Sequence, residues 1–214
     1  MKNILGFFLL IISSSTYAQF QAGTKISGPG LSINYTGSRQ TSQNIDNSGN
    51  SLYLGGSFSV INMTSTSSGK GVRLNLGYLN NSFKRINTNA DNNKQLSIGI
   101  DLFKRKYYNL KVNNLFFYID RLVGVSYNTT KYDKTNNPKQ NEFNASLSLT
   151  PGFNYILKKN LLLDLSLSKI GSLDYNYNIT ELNGIKNTTN KFGFNTELSA
   201  NLLSNVEVGL RFKL

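Results

Sequence analysis

From Leu31 onward the chain repeats one pattern: a run in which every second residue is large and apolar, then a polar run rich in Asn, Ser, Thr, Gly and Lys. A period of two is the spacing of side chains along a β-strand, which send successive residues to opposite faces. Leu31, Ile33 and Tyr35 oppose Ser32, Asn34 and Thr36; Leu52, Leu54, Phe58 and Val60 oppose Tyr53, Gly55, Ser57 and Ser59. Val72, Leu74, Leu76 and Tyr78 follow, then Leu96, Ile98, Ile100 and Leu102, then Phe117, Ile119, Val123 and Val125. Leu147, Leu149, Phe153 and Tyr155 precede Leu161, Leu163, Leu165 and Leu167, and the last run carries apolar residues on even positions from Phe192 to Leu214. That makes eight segments.

A soluble sandwich alternates too, so the polar face has to discriminate. Over the central stretches it is mostly Ser, Gly, Asn, Thr and Asp rather than bulky Lys, Glu and Gln. Small polar residues on one face with Leu, Ile, Val and Phe on the other suit a narrow barrel turned inside out, with a polar lumen and a lipid-facing exterior. The fold expected is therefore all-β: a closed, antiparallel, up-and-down transmembrane barrel of eight strands, ten being the alternative count. An even number lets the first and last strands pair, so that no backbone group is left unbonded in hydrocarbon.

Linker lengths agree. Gly37–Asn50, Ile86–Lys94, Thr129–Glu142 and Thr180–Lys191 are long and polar and read as external loops. Asn62–Lys70 and Arg105–Asn114 are intermediate, and Lys158–Asn160 is tight, as expected of turns on the periplasmic side. The Ser67–Gly71 segment SSGKG lacks the spacing of a phosphate loop and reads as a turn. Lys104, Arg105 and Lys106 are placed at a turn, where they would meet anionic headgroups or peptidoglycan or simply keep the surface soluble. Tyr107, Tyr108, Phe116, Tyr118, Tyr155, Tyr175 and Tyr177 lie near strand ends and are assigned to interfacial aromatic girdles.

The N-terminus carries its own signal. Met1-Lys2-Asn3, the apolar run Ile4–Ile12 and the small residues at Thr16 and Ala18 form a secretory signal peptide over 1–18, leaving a barrel domain over 19–214. Nine apolar residues are too few for a membrane-spanning helix, which needs about 20.

Composition limits the chemistry. Cysteine and histidine are both absent, which removes disulfides, thiolate metal sites and the usual neutral-pH general base. Asp101, Asp120, Asp164 and Glu207 share the lumen face with Arg73, Arg211 and Lys213, and a balanced internal charge network is favoured over acid–base catalysis. No catalytic, cofactor-binding or metal residue is assigned. The net charge of +12 is spread along the chain without a nucleic-acid-binding signature, so no nucleic acid partner is expected. Arg121 has lipid-facing parity between Ile119 and Val123, which implies a bulge, a snorkelling side chain or a displaced strand.

The signal peptide, GPGLSINYTGS, LFFYIDRLVGVSY, LSLTPGFNYILKKNLLLDLSLSKIG and the terminal FGFNTELSANLLSNVEVGLRFKL together resemble the small outer-membrane β-barrel proteins of the Bacteroidetes type, related in architecture to the eight-stranded OmpX and OmpA barrels. The resemblance implies residence in the outer membrane and insertion by the barrel assembly machinery, which would read Phe212 and Leu214 in the final strand. On this reading the protein is non-enzymatic, its lumen is filled by side chains, and it serves envelope integrity or surface interaction through polar external loops. A small porin-like channel and a soluble exported ligand-binding barrel are the other readings, and the surface ligand is unknown.

Overall fold

The computed structural model describes residues 20–42, 45–84, 91–110, 112, 114–133, 138–196 and 206–214. Ten strands follow in order: β1 (Lys25–Ser42), β2 (Ile45–Met63), β3 (Ser68–Lys84), β4 (Asp91–Asn109), β5 (Leu115–Tyr132), β6 (Lys139–Lys158), β7 (Leu161–Ser166), β8 (Gly171–Leu182), β9 (Ile185–Asn195) and β10 (Glu207–Lys213). They occupy eight positions around a closed antiparallel barrel. β1 to β6 pair consecutively; the lower part of β6 then pairs with β7 and its upper part with β8. β10 pairs with both β7 and β1, which closes the ring. β7 and β8 are thus two lengths of the seventh stave, and β9 and β10 two lengths of the eighth.

The break in the seventh stave has a chemical cause. Gly152 faces Ser166 and Leu149 faces Gly171, so Thr150 and Pro151 lie opposite four residues, Leu167 to Ile170. Pro151 has no N–H to donate to a ladder. The ladder is kept through acceptors instead: Leu167 N donates to Pro151 O and Ile170 N to Leu149 O, each at 2.9 Å.

Alternation in sequence becomes inside and outside in space. Val60, Val72, Leu102, Val123 and Leu147 are successive cross-strand partners and form one outward apolar row. Ile33 is 72% exposed and Leu76 59%, whereas the inward residues Arg105 and Asp120 are fully buried. A band of exposed Leu, Ile, Val and Phe this extensive is unsuited to water and suited to hydrocarbon. The soluble-barrel reading is thereby excluded.

The polar linkers differ from expectation. Gly37–Asn50 and Thr180–Lys191 are not loops: the strand pairing runs to Ser42↔Ile45 and to Leu182↔Ile185. Thr129–Glu142 and Ile86–Lys94 likewise give most of their described residues to strands. Asn and Ser do not prevent pairing where every backbone group finds a partner, and the hairpin at Asn183-Gly184 has both residues at positive φ (51° and 79°), the geometry of a tight type I′ turn. The opposite end has the short connections. Thr64–Ser67 is one, its Ser65 hydroxyl accepting from Ser68 N at 3.1 Å, and Lys159-Asn160 another. SSGKG is therefore only partly turn, with β3 starting at Ser68.

Arg121 points outward in an unbroken register, between Lys104 on β4 and Leu149 on β6. No bulge is present there, and the strand is where the alternation put it. The signal peptide and residues 197–205 of the last apolar run lie outside the described residues.

Gly152 faces inward across from Tyr118, and a β-carbon there would run into the Tyr118 ring and come within 2.6 Å of the Leu165 carbonyl oxygen. Gly152→Val is expected to lower stability by about 1–3 kcal/mol through overpacking. Gly56→Ala, where nothing lies within 4 Å of the new carbon, should change it by no more than about 0.5 kcal/mol. Urea unfolding in detergent micelles, followed by the heat-modifiable gel shift, measures both.

Candidate functional site: the barrel lumen

The lower lumen is closed by apolar side chains. Phe20, ahead of β1, tucks inside and packs on Tyr107 and Phe116 with ring centroids 4.8 and 5.5 Å away. Gly23 N donates to Met63 O and Met63 N to Thr24 O, which ties this lead-in to the end of β2. Ile26, Ile61, Met63, Phe103 and Leu162 complete a buried cluster. It corks the barrel at the end with the short turns.

Above the cork lies a network of ions. The Arg105 guanidinium grips Asp120 side-on, Nε to Oδ1 at 2.7 Å and Nη2 to Oδ2 at 2.8 Å. Its Nη1 reaches Asp164 at 3.4 Å and the Asn154 amide oxygen at 3.3 Å. Asp164 also accepts from Arg211 Nε at 2.9 Å and from the Tyr118 hydroxyl at 2.6 Å. Arg73 donates to Asp120 at 3.2 Å, and Arg211 donates to Glu207 at 3.4 Å and to the Gly28 carbonyl. The Ser57 hydroxyl donates to Glu207 at 2.8 Å. Arg105 further lies 3.5 Å from the centroid of the Tyr118 ring.

Three arginines therefore meet three carboxylates, and the cluster is neutral. Its members come from all eight barrel positions: Gly28, Ser57, Arg73, Arg105, Asp120, Asn154, Asp164 and Arg211 sit on β1, β2, β3, β4, β5, β6, β7 and β10. Removing these ions from water costs several kcal/mol each, an expense offset only by close, hydrogen-bonded geometry of this kind. Glycine makes the geometry possible on β1, where a β-carbon at Gly30 would collide with the Glu207 carboxylate.

The upper lumen is open. A cavity of about 620 Å³ extends from Thr36, Ser51 and Ser97 down to Arg73, Thr150 and Ser166. Ser32, Tyr53, Asn75, Ser126 and Ser146 line it with hydroxyls and amides, interspersed with apolar Ile33, Leu79, Ile98, Leu122 and Val125. Asp101 stands in this wall and accepts from Asn75 Nδ2 at 2.8 Å. Gly124 leaves the space that the Asp101 carboxylate occupies.

The lumen residues expected from sequence are placed as follows. Asp101, Asp120, Asp164, Glu207, Arg73 and Arg211 all face inward, and five of the six join the network, Asp101 standing apart. Lys213 stays at the rim, paired with Ile26 in the ladder. Two assignments are corrected. Lys104, Arg105 and Lys106 lie within β4 rather than at a turn, so alternation sends Arg105 into the core and its neighbours outward. Tyr107, Phe116 and Tyr118 also face inward and are buried, while Tyr108, Tyr155, Tyr175 and Tyr177 keep the girdle side. The signal was available in the parity that Tyr107 and Arg105 share with Asp101. Among the described residues no group of three or more Asp and Glu is arranged to hold a metal ion.

Truncating one partner of such a network strands the others. Asp120→Ala leaves Arg105 and Arg73 without their shared carboxylate and is expected to cost about 3–5 kcal/mol in urea unfolding. Asp101→Ala removes one hydrogen bond at the cavity wall and should cost about 1 kcal/mol.

Comparison with known proteins adds identity to this geometry. Among solved structures, the outer membrane protein OprG from Pseudomonas aeruginosa is similar at a TM-score of 0.48 and 14% identity, over 91% of this chain and 97% of that one. Ail, the attachment invasion locus protein of Yersinia pestis, matches at 0.42 and 10%, over 91% and 100%. The outer membrane protease OmpT from Escherichia coli matches at 0.38 and 7%, over 90% and 94%. Among curated proteins no relative matches. A family model described as "Putative OmpA-OmpF-like porin family" matches residues 47–200. With that model covering most of its length, the chain belongs to the OmpA-OmpF-like porin family and is an outer-membrane β-barrel protein.

Proposed function

We propose that this barrel is a non-enzymatic envelope protein whose lumen is shut to solutes, and that it serves outer-membrane integrity or surface contact through its polar hairpins. The observation that carries the reading is the neutral ion network with its aromatic cork, to which every stave contributes a member. An eight-stranded barrel has an interior just wide enough for side chains, so no bypass is expected beside such a plug. In this reading residues 1–18 are a cleaved export signal and the short turns face the periplasm. The long hairpins then project outward, and Phe212 of β10 with Leu214 just beyond it are read by the barrel assembly machinery. The Bacteroidetes-type resemblance belongs to the same proposal.

Of the four lumen carboxylates, Asp101 and Glu207 line the cavity, Asp101 hydrogen-bonded by Asn75 and Glu207 by Ser57 and Arg211. Asp120 and Asp164 are each held by two arginines and buried, out of reach of a substrate in the cavity. One observation favours a second reading, a porin-like path: the cavity of about 620 Å³ opens the upper lumen on the hairpin side. Passage would require the plug to move.

Single-channel recording in planar bilayers separates the two. The full barrel is expected to give no steady unit conductance; a steady, reproducible conductance from the wild-type protein refutes the closed lumen.

A further inference from the structure

We infer that the outer wall carries a binding site for the phosphate headgroup of an anionic phospholipid, built from Lys70, Lys104 and Arg121. The three are successive cross-strand partners on β3, β4 and β5, in a row bounded by Asn62 on β2 and Leu149 on β6. All three are exposed on the outer face. Directly opposed β-carbons lie about 4.5–5.5 Å apart, so the charges span roughly 10 Å. None of them takes part in an ion pair among the described residues.

Like charges opposed across a ladder repel, and cations on the lipid side of a barrel are disfavoured except near an interface. A shared anion removes both penalties. The surroundings say what kind. On the membrane side of this row runs the apolar row Val72, Leu102 and Val123, a track for acyl chain. On the other side lie Tyr108, Phe117 and Phe153, in contact at centroid distances of 5.9 and 5.4 Å, the amphipathic belt expected at headgroup level. Lys106 already leans that way, its Nζ 5.5 Å from the centroid of the Tyr108 ring. Long basic side chains so placed reach the interface by snorkelling, and a guanidinium offers a phosphate two parallel hydrogen bonds. A molecule with an apolar tail, a negative headgroup and a place at this depth is a glycerophospholipid of the adjoining leaflet. The inference rests on the reading above that the short-turn end faces the periplasm, which makes that leaflet the periplasmic one.

The test is native mass spectrometry of the full barrel from neutral detergent, titrated with phosphatidylglycerol and, separately, phosphatidylcholine. The wild type is expected to prefer phosphatidylglycerol on the order of 10- to 100-fold. The triple variant Lys70→Gln, Lys104→Gln, Arg121→Gln should lose that preference while keeping its heat-modifiable fold. The external pair Lys186→Gln, Lys191→Gln should keep it. Equal binding of the two lipids by the wild type overturns the site, as does undiminished preference in the triple variant. Displacement of the lipid by inorganic phosphate at equal concentration also overturns it, because the site would then recognise the free anion. Orientation is read independently by labelling Asn183→Cys with a membrane-impermeant maleimide on intact cells. Labelling is expected; its absence refutes the periplasmic placement without touching the lipid titration.

Discussion

Hydrocarbon offers backbone N–H and C=O groups no partner, and in this protein everything else follows from how that demand is met. The short strand β10 lies between β7 and β1, and both of its edges are paired. With the ring closed, one face of every strand must meet lipid and the other must fit inside a tube about wide enough for side chains to fill. Outward Leu, Ile and Val and inward Ser, Gly and Asn are the consequence. The closure also creates the central problem of the molecule, which is what to put in the middle.

The middle is filled with ions, and the choice has a structural consequence. Because side chains alternate, a slip of one residue in β4 would carry Arg105 into the lipid and Lys104 into the lumen. Arg105 is joined to Asp120, Asp164 and Asn154 on three other strands, and such a slip would leave Asp120 with Arg73 alone and Asp164 with only Arg211 and Tyr118, all still buried. An apolar filling of equal volume could be as stable, yet it would tolerate neighbouring registers more readily. The network therefore acts as a register lock. The same alternation explains why Lys104 and Arg121 stand on the wall outside: the strand that aims Arg105 inward has to aim its neighbours at the membrane.

Much of this was legible in the sequence, because alternation and barrel closure are properties of residue order. The eight segments, the inward carboxylates and the outward Arg121 could all be read from parity alone. What could not be read depends on where strands stop. Lys104, Arg105 and Lys106 look like a polar turn because a run of charge usually marks one; strand pairing through to Asn109 splits them between two environments. Tyr107, Phe116 and Tyr118 were drawn to the girdle by the same habit of treating strand ends as interface. Phe20 carries no pattern at all, since a lead-in residue becomes a cork only when the end of the tube is there to receive it. The two-residue excess opposite Pro151 is a matter of register between distant segments, which no local window contains.

The polar runs bring a further consequence. Asn- and Thr-rich segments suggest mobile loops, but paired strands that reach Ser42↔Ile45 and Leu182↔Ile185 form stiff ribbons instead. A ribbon loses little conformational entropy when it is bound, whereas a loop must be ordered first. Surface contact through such ribbons would rest on a few exposed side chains held in fixed positions. On β8 and β9 these include Ile185 beside the turn, 66% exposed, and the exposed Glu181–Lys186 pair. The wall that meets lipid and the hairpins that rise from it are thus one continuous sheet, and a partner gripping the hairpins would be gripping a structure already anchored to the ion network below.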